Sequence, residues 1–192
     1  MTTRGYSIAF ARDMIPEKMK PYSSSLPPIY EKYQGKYLAI GGPGRGVDWL
    51  CGDWGNRMVM VGEFPTPQAV GDFWWGPEYR VSAKLRAGAV SVDVGQVAGT
   101  NLAPSADHKV FLLIAVPGGA KAAAPITVSK GDTVISAAPE SITTLEGDLS
   151  GLAITMVGFQ TRERLEAAWD MVSDQVKALG GYACAASRAP AG

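Results

Sequence analysis

Along the chain, apolar and polar positions fall into a succession of short strands and amphipathic helices that is run through twice. Tyr6 to Ala11 is a short apolar run and predicts a buried strand. The stretch from Ile15 to Tyr33 has helical spacing, which Pro21, Pro27 and Pro28 are expected to break. Lys36 to Ile40 predicts a second strand. It runs into GGPGRG, Gly41 to Gly46, too rich in glycine and proline for regular structure. Met58 to Phe64 alternates, with Met58, Met60, Gly62 and Phe64 on one face of a strand and Val59, Val61 and Glu63 on the other. Thr66 is placed to cap a helix starting at Pro67, a first-turn position where a missing N–H does no harm. A further helix is expected from about Pro77 to Ala87, and Ala89 to Val97 closes the run as an alternating strand.

The second run opens with a strand from His108 to Val116, followed by a helix that is short and interrupted by Pro125. Met156 to Phe159 lies in its third strand, and Tyr182 to Ser187 is its last. Between them Arg162 to Leu179 is a long amphipathic helix with Leu165, Ala168, Trp169, Val172 and Val176 on one face. The two runs are copies. Residues 50–74 (LCGDWGNRMVMVGEFPTPQAVGDFW) align without a gap with residues 145–169 (LEGDLSGLAITMVGFQTRERLEAAW) at a constant offset of 95 positions. Leu50, Gly52, Asp53, Phe64, Thr66 and Trp74 meet Leu145, Gly147, Asp148, Phe159, Thr161 and Trp169. Strand, helix, strand, strand, helix, strand is the ferredoxin-like split βαβ order. The pattern sets a first unit over residues 1–100, a linker at 101–107 containing Pro104 and Ser105, and a second unit over 108–192. The copies differ where chemistry would sit: Trp54, Glu63, Trp75, Tyr79, Arg80 and Arg86 become Leu149, Gly158, Asp170, Asp174, Gln175 and Gly181. The first unit reads as equipped and the second as scaffold.

Composition narrows the function classes. Eighteen basic and eighteen acidic side chains cancel, so no overall field draws nucleic acid or an anionic membrane surface. With 46% hydrophobic residues the chain can build one shared core. Cys51 and Cys184 have neither metal-ligand nor redox spacing and read as free thiols in a reducing compartment. No 18 apolar residues run together and the first residues carry no apolar signal region, so the expected location is cytoplasmic. GGPGRG lacks the lysine and hydroxyl residue of a phosphate loop, and it reads as a flap with Arg45 in reach of a ligand. The single histidine, His108, leaves no histidine-cluster metal site and no Ser-His-Asp triad of the ordinary kind. Neither a metal nor an organic cofactor is expected, the one alternative being His108 as a lone haem ligand.

The stretch VGEFPTPQAVGDFWWGPEYRVSAKLRAGAV, Val61 to Val90, resembles the signature of the domain of unknown function 1330 family. Glu63-Phe64-Pro65, Pro77-Glu78-Tyr79 and Arg86 carry the resemblance most specifically, and it extends from Tyr6 to Gly99. The second copy lacks all three elements. The resemblance implies a dimeric α+β barrel in which two ferredoxin-like units pack sheet against sheet. Here a fused pair would form it within one chain. Barrels of this kind serve cofactor-free monooxygenases, polyketide cyclases, lactone isomerases and haem enzymes, so the resemblance implies a fold and leaves the reaction open.

Among candidate residues, Glu63 comes first, because a carboxylate on an apolar strand face is expected to hold its proton to higher pH and to move protons near neutrality. Its structural alternative is an ion pair with Arg86 or Arg80. Those two arginines stand six apart on one helix and so on different faces, and only one can reach a cavity. Arg86, with Tyr79, is expected to hold a developing oxyanion. Trp54 and Trp75 have no counterpart in the second copy and are expected to shape an aromatic pocket together with Arg45 and Arg80. Trp74, matched by Trp169, is assigned to the core, and Asp53, matched by Asp148, to a turn. The leading expectation is a cofactor-independent isomerase, cyclase or lyase acting on an aromatic or polyketide-like small molecule by acid–base chemistry. A cofactor-free or haem-assisted monooxygenase and a non-catalytic small-molecule binder are the alternatives. Whether the fused pair dimerises again through its exposed helices stays open.

Overall fold

A computed structural model of the chain describes residues 3–118, 126, 128–137 and 142–190. The first half contains β1 (Gly5–Arg12), α1 (Pro16–Lys32), β2 (Lys36–Pro43), β3 (Gly46–Cys51), β4 (Met58–Phe64), α2 (Pro67–Trp75), α3 (Pro77–Lys84) and β5 (Ser91–Ala98). The second contains β6 (Val110–Pro117), β7 (Thr133–Ala137), β8 (Thr143–Glu146), β9 (Leu152–Phe159), α4 (Arg162–Ala178) and β10 (Tyr182–Ser187). The helix expected near Pro125 lies outside the described residues. Among these residues no helix is long and apolar enough to cross a membrane.

The ten strands form one curled sheet in the order β7-β9-β6-β10-β3-β2-β4-β1-β5-β8. Two split βαβ sheets are visible in it, β2-β4-β1-β5 and β7-β9-β6-β10, each ordered as that motif requires. The other two strands are exchanged. β3 leaves the first half to pair with β10, and β8 leaves the second to pair with β5. Bonds from Thr100 to Ile135 and Val134 tie the end of β5 to β7. The intrachain α+β barrel therefore forms as expected. Its interior is one core drawn from both halves, in which Tyr6, Ile8, Phe10, Val59 and Val61 meet Phe111, Leu113, Ile154, Met156 and Cys184. Large side chains buried in this way each contribute about 1.5–3 kcal/mol, so the halves stabilise one another.

Three local expectations are corrected. α1 is continuous although Pro21, Pro27 and Pro28 lie inside it. All three prolines face solvent, as do Glu17, Ser23 and Ser24, whose carbonyls they leave without a helical donor and which water can satisfy. The opposite face buries Tyr22, Leu26, Ile29 and Tyr30, and that packing holds the helix together. GGPGRG is not irregular: β2 runs through Pro43 and β3 starts at Gly46, with Gly44 and Arg45 as a tight turn. Arg45 N–H donates to the Gly42 carbonyl at 2.8 Å, and Gly44 and Gly46 adopt φ of 68° and 86° that other residues rarely tolerate. Finally, α3 ends at Lys84, which puts Arg86 in the turn that follows it.

Candidate functional site

Alternation along β1 and β4 decides which side chains meet the barrel interior and which meet the helices. Val59 and Val61 face the barrel, whereas Met58 and Met60 face α1, α2 and α3. On β1 the helix-facing positions are Ser7, Ala9 and Ala11, all small. Above them the chain bends sharply at Gly76, where α2 stops and α3 begins at Pro77. A Cβ at Gly76 would collide with Tyr33 and with the Asp72 carbonyl, so glycine lets the two helices splay over the sheet. Small side chains below and a broken helical roof leave a cavity of about 410 Å³, within the range of about 300–1,000 Å³ usual for small-molecule sites.

Most of its wall is soft or aromatic. Met14, Met19, Met58 and Met60 line it, with Phe73 and Trp74. Methionine adapts its shape to a ligand, and stacked rings suit a flat one. The polar end is formed by Tyr22 on α1, Tyr79 on α3 and Arg86. The two phenol oxygens are 3.1 Å apart, and the guanidinium lies over the Tyr22 ring, 5.6 Å from its centre. Burial raises the pKa of Tyr79, reinforced by the neighbouring Tyr22, and burial likewise raises that of Tyr22 against the lowering pull of Tyr79 and Arg86. Both are therefore neutral O–H groups at physiological pH. One hydroxyl proton is used between them, and the other is free for a ligand. Burial is the largest single influence and works against the charge on Arg86, yet hydrogen bonding to Glu146 and the fields of Tyr79, Tyr22 and Glu146 together outweigh it and raise its pKa, so it stays cationic. Its two terminal nitrogens donate to the two oxygens of Glu146 at 2.9 and 2.6 Å. Tyr30 and Tyr37 also line the cavity, where burial holds Tyr30 protonated far above its ordinary range and pushes Tyr37 up to about 12. The buried indole N–H of Trp74 has no hydrogen-bond partner. Among the described residues no carboxylate and no imidazole lines this cavity.

Of the residues singled out from sequence, Tyr79 and Arg86 meet here. The other five do not. Glu63 follows the alternation of its strand onto the barrel side, where it is almost fully buried, 2.7 Å from Arg4 and 3.7 Å from Lys36. It pairs with those two cations instead of Arg86 or Arg80, and it faces away from the cavity. Trp54 is inside the barrel, stacked on Tyr182 at 4.0 Å and with the Arg57 guanidinium over its ring at 4.2 Å. Trp75 is 60% exposed on the outer side of α2, with Arg80 over its ring at 5.5 Å. Arg45 projects from the β2–β3 turn into solvent. Trp74, assigned to the core, is buried as expected and also lines the cavity. Asp148 caps its own turn, accepting from Ser150 N–H at 3.1 Å.

His108 is fully buried, its Nδ1 accepting from Ser105 N–H at 3.2 Å and its Nε2 meeting the Gly131 carbonyl at 3.1 Å. Both ring nitrogens are thus occupied by backbone, which leaves neither for a haem iron. Its ring fills the room beside Gly158, the position equivalent to Glu63. Sequence reading missed Tyr22, Tyr30 and Tyr37. Tyr22 and Tyr30 sit in a helix that its prolines appeared to forbid, and their i, i+8 spacing with Leu26 between them was the available signal.

Fold and site together define a dimeric α+β barrel protein with a cavity of small-molecule size on one sheet's outer face. The chain belongs to the family described as domain of unknown function (DUF1330), whose profile matches residues 4–100, every element from β1 to β5. No curated protein matches the sequence. Among solved structures, an anthrone oxidase-like protein is 10% identical, with 99% of this chain and 92% of that one covered at a TM-score of 0.54. A mutant chlorite dismutase from Candidatus Nitrospira defluvii is 9% identical, with 97% and 92% covered at a TM-score of 0.53. At these identities the likeness is one of fold.

Proposed function

We propose that the chain is a cofactor-independent enzyme acting by acid–base chemistry on a flat, largely apolar aromatic or polyketide-like molecule bearing one ionisable oxygen. The observation that carries this reading is the clustering of Arg86 with the Tyr22–Tyr79 pair in a largely apolar cavity. A cation and a neutral O–H donor, both desolvated, favour negative charge on a substrate oxygen, as in an enolate or phenolate. With no carboxylate among the described residues that line the cavity, the proton leaving carbon passes to water. The protein's contribution is to lower the cost of the anion and to return a proton to it. Isomerisation, cyclisation or lyase chemistry all run through such an anion. Glu63 has no part in this scheme and serves as a structural ion pair. The methionine wall supports a range of related substrates more than one rigid shape. Free Cys51 and Cys184 accord with a cytoplasmic setting.

The test is hydrogen–deuterium exchange at the α-carbon of 2-tetralone, followed by NMR in D2O. The expected result is exchange faster than in buffer, falling about 10²–10³-fold in Arg86→Met and by a smaller factor in Tyr79→Phe. Dioxygen uptake in place of exchange would move the reading to a cofactor-free oxygenase. Tight binding with neither would reduce it to a binding module.

A further inference from the structure

We infer that Glu146, supplied by the second half of the chain, is a positioning residue for Arg86, so that the first half's site is incomplete without the second. The inference rests on the reading of Arg86 as the oxyanion-binding group. Arg86 follows the end of α3 and sits in a turn, where the backbone does little to aim so long a side chain. What aims it is a two-pronged bond to Glu146, which engages both terminal nitrogens and holds the guanidinium over the Tyr22 ring, 5.6 Å from its centre. Glu146 is itself held by packing independent of Arg86. It ends β8, which pairs with β5 and places it opposite Val94. Ile142, just before the strand, fills the space above Gly95, and just after it the Asp148 N–H donates to Asp93 at 3.2 Å.

The symmetry of the fold supplies a control. The 95-residue offset carries Glu146 onto Cys51 and Arg86 onto Gly181. Those two also touch, at the other exchanged strand: Cys51 Sγ is 3.5 Å from the Gly181 carbonyl. The same contact therefore exists at both junctions of the barrel, and only the junction beside the cavity has been given a carboxylate and a guanidinium. A pair serving the barrel alone would be as useful at either place. Its one-sided presence ties it to the cavity.

The probe is 4-nitrophenol, titrated by absorbance above its pKa as the phenolate, with nitrobenzene as its neutral counterpart. In the unmodified protein the phenolate is expected to bind more tightly than nitrobenzene. Glu146→Gln should weaken phenolate binding about tenfold and nitrobenzene binding less than about twofold, the nitrobenzene arm registering any general loosening of the fold. Thr144→Val, which perturbs β8 without touching the carboxylate, should alter neither, and Glu146→Gln should add nothing in an Arg86→Met background. Phenolate binding that is unchanged or tighter in Glu146→Gln would overturn the proposal, leaving Glu146 as a counter-charge only, while the reading of Arg86 would stand. Equal binding of phenolate and nitrobenzene by the unmodified protein would sink that reading and this inference with it.

Discussion

The helix-facing sides of the two sheets were built on the same plan and ended differently. Ala9 lies opposite Met60 and Ile114 opposite Thr155, partners related by the same 95-residue offset, so β1 and β6 correspond residue by residue. On β1 the helix-facing residues are Gly5, Ser7, Ala9 and Ala11; on β6 they are Val110, Leu112, Ile114 and Val116. The roof differs as well. In the second half α4 runs unbroken for 17 residues and lays Leu165, Trp169, Val172 and Val176 against the sheet. In the first half Gly76 and Pro77 stand where α4 has Met171 and Val172, and the helix breaks in two. A cavity was opened by removing side-chain volume from one strand and continuity from one helix. The lesson is that a duplicated fold can keep one face as packing and leave a cavity on the other without moving a strand.

Exchanging residues between the two faces is the sharpest way to break the comparison. Ile114→Ala removes packed volume and is expected to cost about 2–5 kcal/mol, measured by denaturant unfolding. Ala9→Ile, the reverse exchange, enters empty space, so stability should change by less than about 1.5 kcal/mol while binding of 4-nitrophenol is lost. A large destabilisation by Ala9→Ile would mean that the cavity is not open to a side chain of that size.

Glu63 and its equivalent Gly158 offer a second contrast, now on the barrel side. Glu63→Gln leaves Arg4 and Lys36 without their buried partner, and the expected loss is about 1–3 kcal/mol in unfolding free energy with tetralone exchange unaffected. An exchange rate that fell in step with the substitution would return Glu63 to the chemistry.

The smallest effect at neutral pH, and the largest at high pH, belongs to the buried tyrosines. Tyr22, Tyr30 and Tyr79 keep their protons above the unfolded value of about 10, so the unfolded chain releases protons first. Stability is then full below about pH 10 and falls as pH rises past it, by about 1.4 kcal/mol per pH unit for each tyrosine still protonated in the folded state. Tyr37 joins them until about 12. Tyrosinate absorbance followed against pH should show these rings silent until the chain unfolds. Early titration of all seven tyrosines would contradict their burial.

Much of this protein was decided within short stretches of sequence. The repeat, the strand faces of Met58 to Phe64, the Thr66 and Thr161 caps and the amphipathic α4 all depend on residues a few positions apart, where alternation and helical spacing act directly. Arg86 and Tyr79, which line the cavity, were legible as candidates because they stand where the second copy has Gly181 and Asp174. The small helix-facing residues of β1 could be set against those of β6 only through the strand pairing. Tertiary structure alone decided the rest. Parity told which residues share a face with Glu63, but only the packing of Val59 and Val61 against Phe111 and Leu113 made that face the barrel interior. Local rules broke α1 at its prolines, and burial of Tyr22, Leu26, Ile29 and Tyr30 restored it. The partnership of Arg86 with Glu146 joins residues 60 positions apart through a strand lent by the other half. Such a pairing depends on how two sheets exchange their edges, and no periodicity within either half encodes it.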